Sequence, residues 1–157
     1  SDYPHIEVEE YSVKNAHDLE SPLQETFQIV IDEDFSTSDN LRINPFFIGK
    51  TKVNPFKLDY RDYPVDFNYA RKSTFMLSLT IPSAYTITKL PKSKSLGLPN
   101  KGGSFSLTIS QKGNKINLLY RFSLNKKRFS NEEYFYLKEF YKQLIETQSS
   151  FIELARK

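Results

Sequence analysis

From Thr74 to Ile81 the chain alternates without a break. Phe75, Leu77, Leu79 and Ile81 fall on one side, and Thr74, Met76, Ser78 and Thr80 on the other. A period of two is the signature of a half-buried strand, because successive side chains leave a strand on opposite faces. The residues that lead into it, RDYPVDFNYA from 61 to 70, are charged and aromatic with Pro64 among them. A strand with such an approach belongs to a sheet, and nothing in it is equipped for catalysis.

The other segments agree. Ile6, Val8, Tyr11 and Val13 predict a strand with a slip between Val8 and Tyr11, as a bulge would give. Phe27, Ile29 and Ile31 predict a second strand after the polar connection 16–22. Residues 85–90 predict a short strand. Ile81-Pro82, Leu90-Pro91 and Leu98-Pro99 each mark a strand end or an edge, since proline cannot donate to a ladder. The clearest hairpin joins 104–111 to 115–124 through Lys112-Gly113-Asn114. Ser130-Asn131-Glu132-Glu133 reads as a capping box, in which the Ser130 hydroxyl takes the third amide and Glu133 reaches back. The helix that follows, 131–148, repeats at 3.6 through Tyr134, Leu137, Tyr141, Leu144 and Ile145. Residues 149–157 are expected as a tail or short strand. Two tripeptides, Asn44-Pro45-Phe46 and Asn54-Pro55-Phe56, are expected at turns or edges flanking a short strand, with each Phe used in packing.

The expected fold is therefore mainly β: an antiparallel two-sheet β-sandwich of about seven or eight strands, Ig-like or Greek-key-like, with one C-terminal α-helix on it. At 157 residues it is expected as one domain, 1–157, with N-terminal strands in 1–40 and a sheet core in 41–130. A chain of this size can bury about 70% of the surface it exposes unfolded. Thirteen Phe and ten Tyr supply the apolar bulk. No apolar run approaches the ~20 residues a membrane-spanning helix requires, and mean hydropathy is −0.55. Met76 is the only Met, so either a Met was removed before Ser1 or the chain is an excised or processed piece of a longer protein, and the second is the expectation.

Charge is divided unevenly. Residues 1–40 hold one Lys against eleven Asp and Glu, a net −10; residues 41–130 hold seventeen Lys and Arg against three Asp, a net +14. Acidic and basic segments are expected to neutralise each other as neighbouring strands, within one or two Debye lengths. A basic face for nucleic acid is the less favoured reading.

Chemistry is excluded step by step. The absence of Cys removes disulfides, thiolate nucleophiles and Cys-ligated zinc together. The two histidines, His5 and His17, lie twelve residues apart in the acidic segment, at no ligand spacing. No G-x-S-x-G elbow is present. Asp32, Glu33, Asp34 and Asp39 suggest calcium, but the sixth and twelfth loop positions, counted from Asp32, are Thr37 and Ile43 where Gly and Glu are needed. Gly97 and Gly102 have P-loop spacing, and Gly103 stands where the phosphate-binding Lys should be. Asp59, Asp62 and Asp66 are close enough in sequence for a carboxylate pair. Arg61 beside them favours ionised carboxylates and a fold-locking Arg61–Asp66 pair. Tyr60, Tyr63 and Tyr69, with Phe67 and the nearby Arg71 and Lys72, allow a sugar-binding surface, though without Trp. Arg61, Tyr63, Asp66, Tyr69, Arg71 and Lys101 are the candidate interface residues; no catalytic, cofactor or metal residue is assigned.

One ordered set of residues resembles a known family. It comprises Asn54-Pro55-Phe56, Arg61, Pro64-Val65-Asp66-Phe67, Ile81-Pro82, Tyr85, Leu90-Pro91, Leu98-Pro99, Gly102-Gly103, Phe105, Phe122, Lys126, Phe129, Tyr134, Leu137-Lys138 and Phe140. From about residue 41 to the end, the chain resembles the uncharacterised C-terminal domain that follows the transglutaminase-like core in large bacterial proteins. The resemblance implies an accessory domain that works with adjacent domains of the same polypeptide, and a periplasmic or secreted location. It implies no cofactor. The family's Cys-His-Asp triad belongs to the core and has no counterpart in this Cys-free chain. A carbohydrate- or cell-wall-binding module, taking a glycan or peptide ligand, is the alternative.

Overall fold

The computed structural model describes residues 6–31 and 39–157. They fall into two compact units, divided between residues 38 and 39, beside the acidic–basic boundary of the sequence.

In the first unit β1 (Ile6–Lys14) pairs antiparallel with β2 (Gln24–Ile31). A register shift between Val8 and Glu10 is the expected bulge. Beyond it Tyr11 still opposes Phe27, so Ile6, Val8, Tyr11, Phe27, Ile29 and Ile31 share one face. The Tyr11 ring lies 4.8 Å from that of Phe27, and its hydroxyl donates to Glu25 Oε1 at 2.8 Å. The two acidic strands thus take each other as ladder partners, where basic partners were expected.

The second unit carries β3 (Asn40–Ile43), β4 (Val65–Asp66), β5 (Arg71–Thr80), β6 (Tyr85–Lys89), β7 (Lys94–Gly97), β8 (Gly103–Lys112), β9 (Lys115–Leu124), β10 (Arg128–Phe129), α1 (Tyr134–Gln148) and β11 (Ile152–Arg156). It is mainly β, antiparallel throughout, with one helix near the C-terminus, as expected. The principal sheet has the order β5-β9-β8-β7, and a three-stranded sheet has the order β3-β11-β6. Val65 and Asp66 of β4 pair with Phe129 and Arg128 of β10. The β8–β9 hairpin runs in unbroken register from Gly103↔Leu124 to Lys112↔Lys115 and turns at Gly113, whose φ of +60° suits glycine.

The inner face of the principal sheet is covered in two parts. Toward one end α1 lays Leu137, Phe140, Tyr141 and Leu144 on Phe105, Leu107, Leu118, Tyr120 and Leu124, joined by Phe46, Phe56 and Phe129. Toward the other, Ile152 and Leu154 of β11 meet Ile81 and Ile116. Ile109 borders both clusters. The layer opposite the principal sheet is thus helix in one part and sheet in the other. Rings meet edge-on at many points, such as Phe56 with Tyr141 (5.1 Å) and Phe105 with Phe140 (5.3 Å), the arrangement their quadrupoles favour. The hydroxyl of Tyr120 is buried without a hydrogen-bond partner among the described residues, and burial raises its pKa.

Both Asn-Pro-Phe tripeptides clamp α1. Asn44 Nδ2 donates to the Gln148 carbonyl at 3.0 Å, while Asn44 Oδ1 accepts the Phe46 N–H at 2.9 Å. Asn54 does the same with the Lys138 carbonyl and the Phe56 N–H, both at 2.9 Å. Each Asn closes its own turn and grips a helix carbonyl, Asn44 at the last residue and Asn54 more than a turn inside the start, and the Phe two residues on drops into the core, 4% and 6% exposed. The tripeptides are turns, and no strand forms between them.

Other local expectations change. The helix starts at Tyr134 rather than 131, and its N-cap Glu133 makes no side-chain cap bond. Half of the capping box survives: Glu133 Oε2 accepts the Ser130 N–H at 2.9 Å. The same carboxylate holds Lys126 Nζ at 2.6 and 2.8 Å, and that ammonium sits 4.7 Å over the Phe129 ring. The segment 92–103, whose three Lys and three Gly suggest a basic loop, contains β7 and a 3-10 turn, Pro99–Lys101. Gly102 and Gly103 are needed for close approach. A Cβ on Gly103 would lie 2.5 Å from the Ser123 carbonyl oxygen, and one on Gly102 3.0 Å from the Phe129 ring. The final residues form β11, the central strand of its sheet. There Glu153 lies between Arg42 of β3 (3.7 Å) and Lys89 of β6 (3.3 Å).

Two stability outcomes follow from these contacts. Asn44→Ala leaves a buried carbonyl and a buried N–H without their partner and should cost about 2 kcal/mol; Asn54→Ala, half-buried, should cost about 1 kcal/mol. Urea unfolding followed by circular dichroism measures both. The Lys126 ammonium beside Glu133 lowers its carboxyl pKa on folding. Its contribution is therefore present above the unfolded value, about 4.3, and lost as pH falls through the depressed folded value. Lys126 is 37% exposed, so the pair contributes about 0.5–1 kcal/mol. The stability gap between wild type and Glu133→Gln should be widest at neutral pH and close under acid.

Candidate functional site

Helix α1 buries one stripe and presents the other to solvent, where Phe135 is 65% exposed and its neighbour Tyr136 50%. Their rings meet at 5.8 Å and 78°. Opposite Phe135 runs the irregular segment between the Asn-Pro-Phe turns and residue 60, held by two bonds to the Leu58 carbonyl: Tyr134 hydroxyl at 3.1 Å and Lys138 Nζ at 2.9 Å. Between helix and segment lies an open groove of about 680 Å3. Val53, Phe135 and Ile145 give it an apolar floor.

Its walls mix both signs. Lys52, Lys138 and Lys142 stand with Asp59, Glu139 and Glu146. Lys138 pairs with Asp59 at 2.9 Å, and this bond holds the Asp59 carboxyl below its ordinary pKa. Lys142 lies 3.9 Å from Glu139 across one helical turn. An apolar floor inside a rim of balanced charge suits the side chains of a protein surface. A lone phosphate or a single-sign polymer would meet as much repulsion as attraction there.

The residues marked from sequence lie on different elements. Arg61 and Tyr63 are exposed in the segment before β4; Asp66 is in β4; Tyr69 is exposed in the turn before β5; Arg71 opens β5; Lys101 ends the 3-10 turn at a φ of +55°. No hydrogen bond or ion pair joins any two of the six. The expected Arg61–Asp66 pair is absent: Asp66 Oδ1 accepts the Asn68 N–H at 2.9 Å, closing a two-residue turn that satisfies the carboxylate locally. Arg71 is turned into the fold. Its Nη2 donates to the Tyr141 hydroxyl at 2.9 Å, and its guanidinium lies 5.8 Å over Phe67 and 5.4 Å over Phe122.

Phe67 also leaves the expected tyrosine surface, packing edge-on against Phe56 (6.1 Å) and Phe129 (5.7 Å). Tyr60, Tyr63 and Tyr69 remain 76%, 77% and 65% exposed. Gly97 and Gly103 are ladder positions, paired with Ser104 and Leu124, and Gly102 closes the 3-10 turn, so these glycines form no phosphate cradle. Among Asp59, Asp62 and Asp66, the first is held by Lys138 and the third by a backbone amide. His17 is exposed in the β1–β2 connection, while His5 and the calcium-like residues Asp32, Glu33 and Asp34 lie outside the described residues. Among the described residues no group of three His, Asp or Glu is placed to hold a metal, and no helix is long and apolar enough to cross a membrane.

The groove itself was missed in the sequence, although a signal was there. Phe135 and Tyr136 stand off the 3.6-residue stripe, and aromatic rings on the polar face of a helix lack a local reason to be there.

Comparisons with known proteins come to the same fold. No curated protein matches the chain. It is similar to a crystal structure from Parabacteroides distasonis ATCC 8503 described as a "putative protease", with a TM-score of 0.54 and 15% identity over 63% of this chain and 19% of that one. The similarity is one of fold, and it involves about a fifth of that longer protein. A family model described as "Domain of Unknown Function with solved-structure structure" matches residues 39–154, essentially the whole second unit. The chain belongs to this family, DUF3858.

Proposed function

We propose that the chain is a non-catalytic accessory domain of a larger secreted or periplasmic bacterial protein, with a transglutaminase-like or protease-like catalytic core that it docks to or assists. The observation that carries this reading is the share of the similar structure that is matched: the same fold occurs there as about a fifth of a chain described as a protease. The groove supplies the docking surface. Phe135 and Val53, each more than 60% exposed, offer apolar area to a partner, and the balanced rim gives register without demanding one charge sign. The shifted carboxylates support the same view, since Asp18, Asp59 and Glu133 are all held below their ordinary values. Such groups are kept ionised by structural partners, whereas a general acid needs the opposite shift.

The alternative, a carbohydrate- or cell-wall-binding module, is favoured by one observation: Tyr60, Tyr63 and Tyr69 keep their rings in solvent. It predicts glycan-array hits that Tyr60→Ala with Tyr63→Ala abolishes.

The accessory reading predicts no turnover of ester, peptide or glycoside substrates by the chain alone. It also predicts binding to the separately produced catalytic segment of the longer polypeptide, weakened at least about tenfold, or 1.4 kcal/mol, by Phe135→Asp. Titration calorimetry reads the second, and turnover by the isolated chain would refute the first.

A further inference from the structure

The free edges in the second unit are not alike. An edge strand exposes a row of unpaired N–H and C=O groups, and proteins blunt such edges with short strands, Lys or Arg, proline and bulges. Strand β3 has four residues with Arg42 among them, and Pro45 follows two residues after its end. Strand β6 has five, ends in Lys89 and lies between Pro82 and Pro91. Strand β7 has four, begins with Lys94 and lies between Pro91 and Pro99.

Strand β5 has none of these protections along most of its length. It is ten residues long, pairs only with β9 among the described residues, and shows no register shift from Arg71↔Leu124 to Thr80↔Lys115. From Ser73 to Thr80 it has no charge, no proline and no glycine. Met76, at its middle, is 73% exposed. The inner face is also incomplete there. Phe75, Leu77 and Leu79 are only half-buried, while the β9 residues opposite them, Tyr120, Leu118 and Ile116, are 4%, 3% and 1% exposed.

We infer that the β5 edge pairs with the β5 edge of a second copy, antiparallel and centred on Met76, so that two four-stranded sheets become one. The strand is complementary to itself in this register. Met76 faces Met76 of the other copy, Thr74 faces Ser78, Phe75 faces Leu77, and Lys72 faces Thr80, so no like charges oppose. The largest exposed apolar side chain of the strand is covered, and so are the half-open inner positions. A two-fold axis perpendicular to the sheet generates the arrangement and closes it as a dimer.

The absence of cysteine makes the test clean. Cross-strand Cβ atoms lie about 4.5–5.5 Å apart, within reach of a disulfide after small adjustment. Under mild oxidation Met76→Cys should form a covalent dimer at least roughly tenfold faster than Thr108→Cys, an exposed position on the inner strand β8, because pairing raises the local thiol concentration. Thr74→Cys and Ser78→Cys should crosslink slowly alone and rapidly when mixed, as the antiparallel register requires. Equal rates for Met76→Cys and Thr108→Cys would overturn the inference, and so would a mixture no faster than its components. Circular dichroism of the reduced variants checks that each is folded.

Discussion

The larger core of the second unit is organised by the seating of α1 on the inner face of the principal sheet. Fully burying a Phe or Leu side chain contributes about 1.5–3 kcal/mol, and the interface joins several from each side, including Phe105, Leu124, Leu137, Phe140 and Leu144. Apolar burial has no direction, so it does not by itself determine where along the sheet a helix comes to rest. That is determined by the two asparagines. Asn44 reaches the last residue of the helix and Asn54 reaches Lys138, in its first half, and both fasten helix carbonyls to chain that lies far off in sequence. The proline after each asparagine keeps the turn extended, and the Phe after that anchors it in the same core that the helix covers.

Legibility in the sequence follows the range of the interaction. The β8–β9 hairpin, the β5 alternation and the β1 bulge were readable because each is decided within about twenty residues by periodicity and turn chemistry. The helix stripe was readable for the same reason. Its first turn was not. Glu133 is drawn toward Lys126 as well as Ser130, and a carboxylate engaged outside the helix is not free to act as a simple cap. Strand β7 was hidden because four residues, Lys94 to Gly97, are too few to show a period and resemble a loop until a partner strand is there to pair with them. The identity of the last strand was likewise unresolved locally. Ile152 and Leu154 fit a helix or a strand, and only the gap between β3 and β6 selects the strand.

Charge taught the same lesson from the other side. The acidic–basic boundary near residue 40 did mark the division between the two units. Which charges would meet was not written in the totals. Strands β1 and β2 pair with each other, and in the second unit the C-terminal acids Glu133 and Glu153 find Lys126, Arg42 and Lys89. Arg61 and Asp66 failed as a pair because a backbone amide two residues away reaches Asp66 without any loss of side-chain entropy to a long Arg chain. The candidate site was less readable than the fold. Its floor combines Val53, from a loop without periodicity, with Phe135 and Ile145, and no local pattern announces that they converge.

Arg71 shows how a site residue can be recognised by type and misjudged in role. Its position among tyrosines and lysines suggested a surface that recognises ligands. In the fold the guanidinium faces Phe67 and Phe122 and donates to Tyr141. An arginine can do this because its planar, weakly hydrated cation can lie against two rings and still donate to a hydroxyl. The same contact limits the open edge of β5. At its first residue the strand carries an inward-held charge, a device that discourages pairing, and Lys72 stands next to it. The protection ends there, and the uncharged length from Ser73 to Thr80 is the part of the edge left open to a partner.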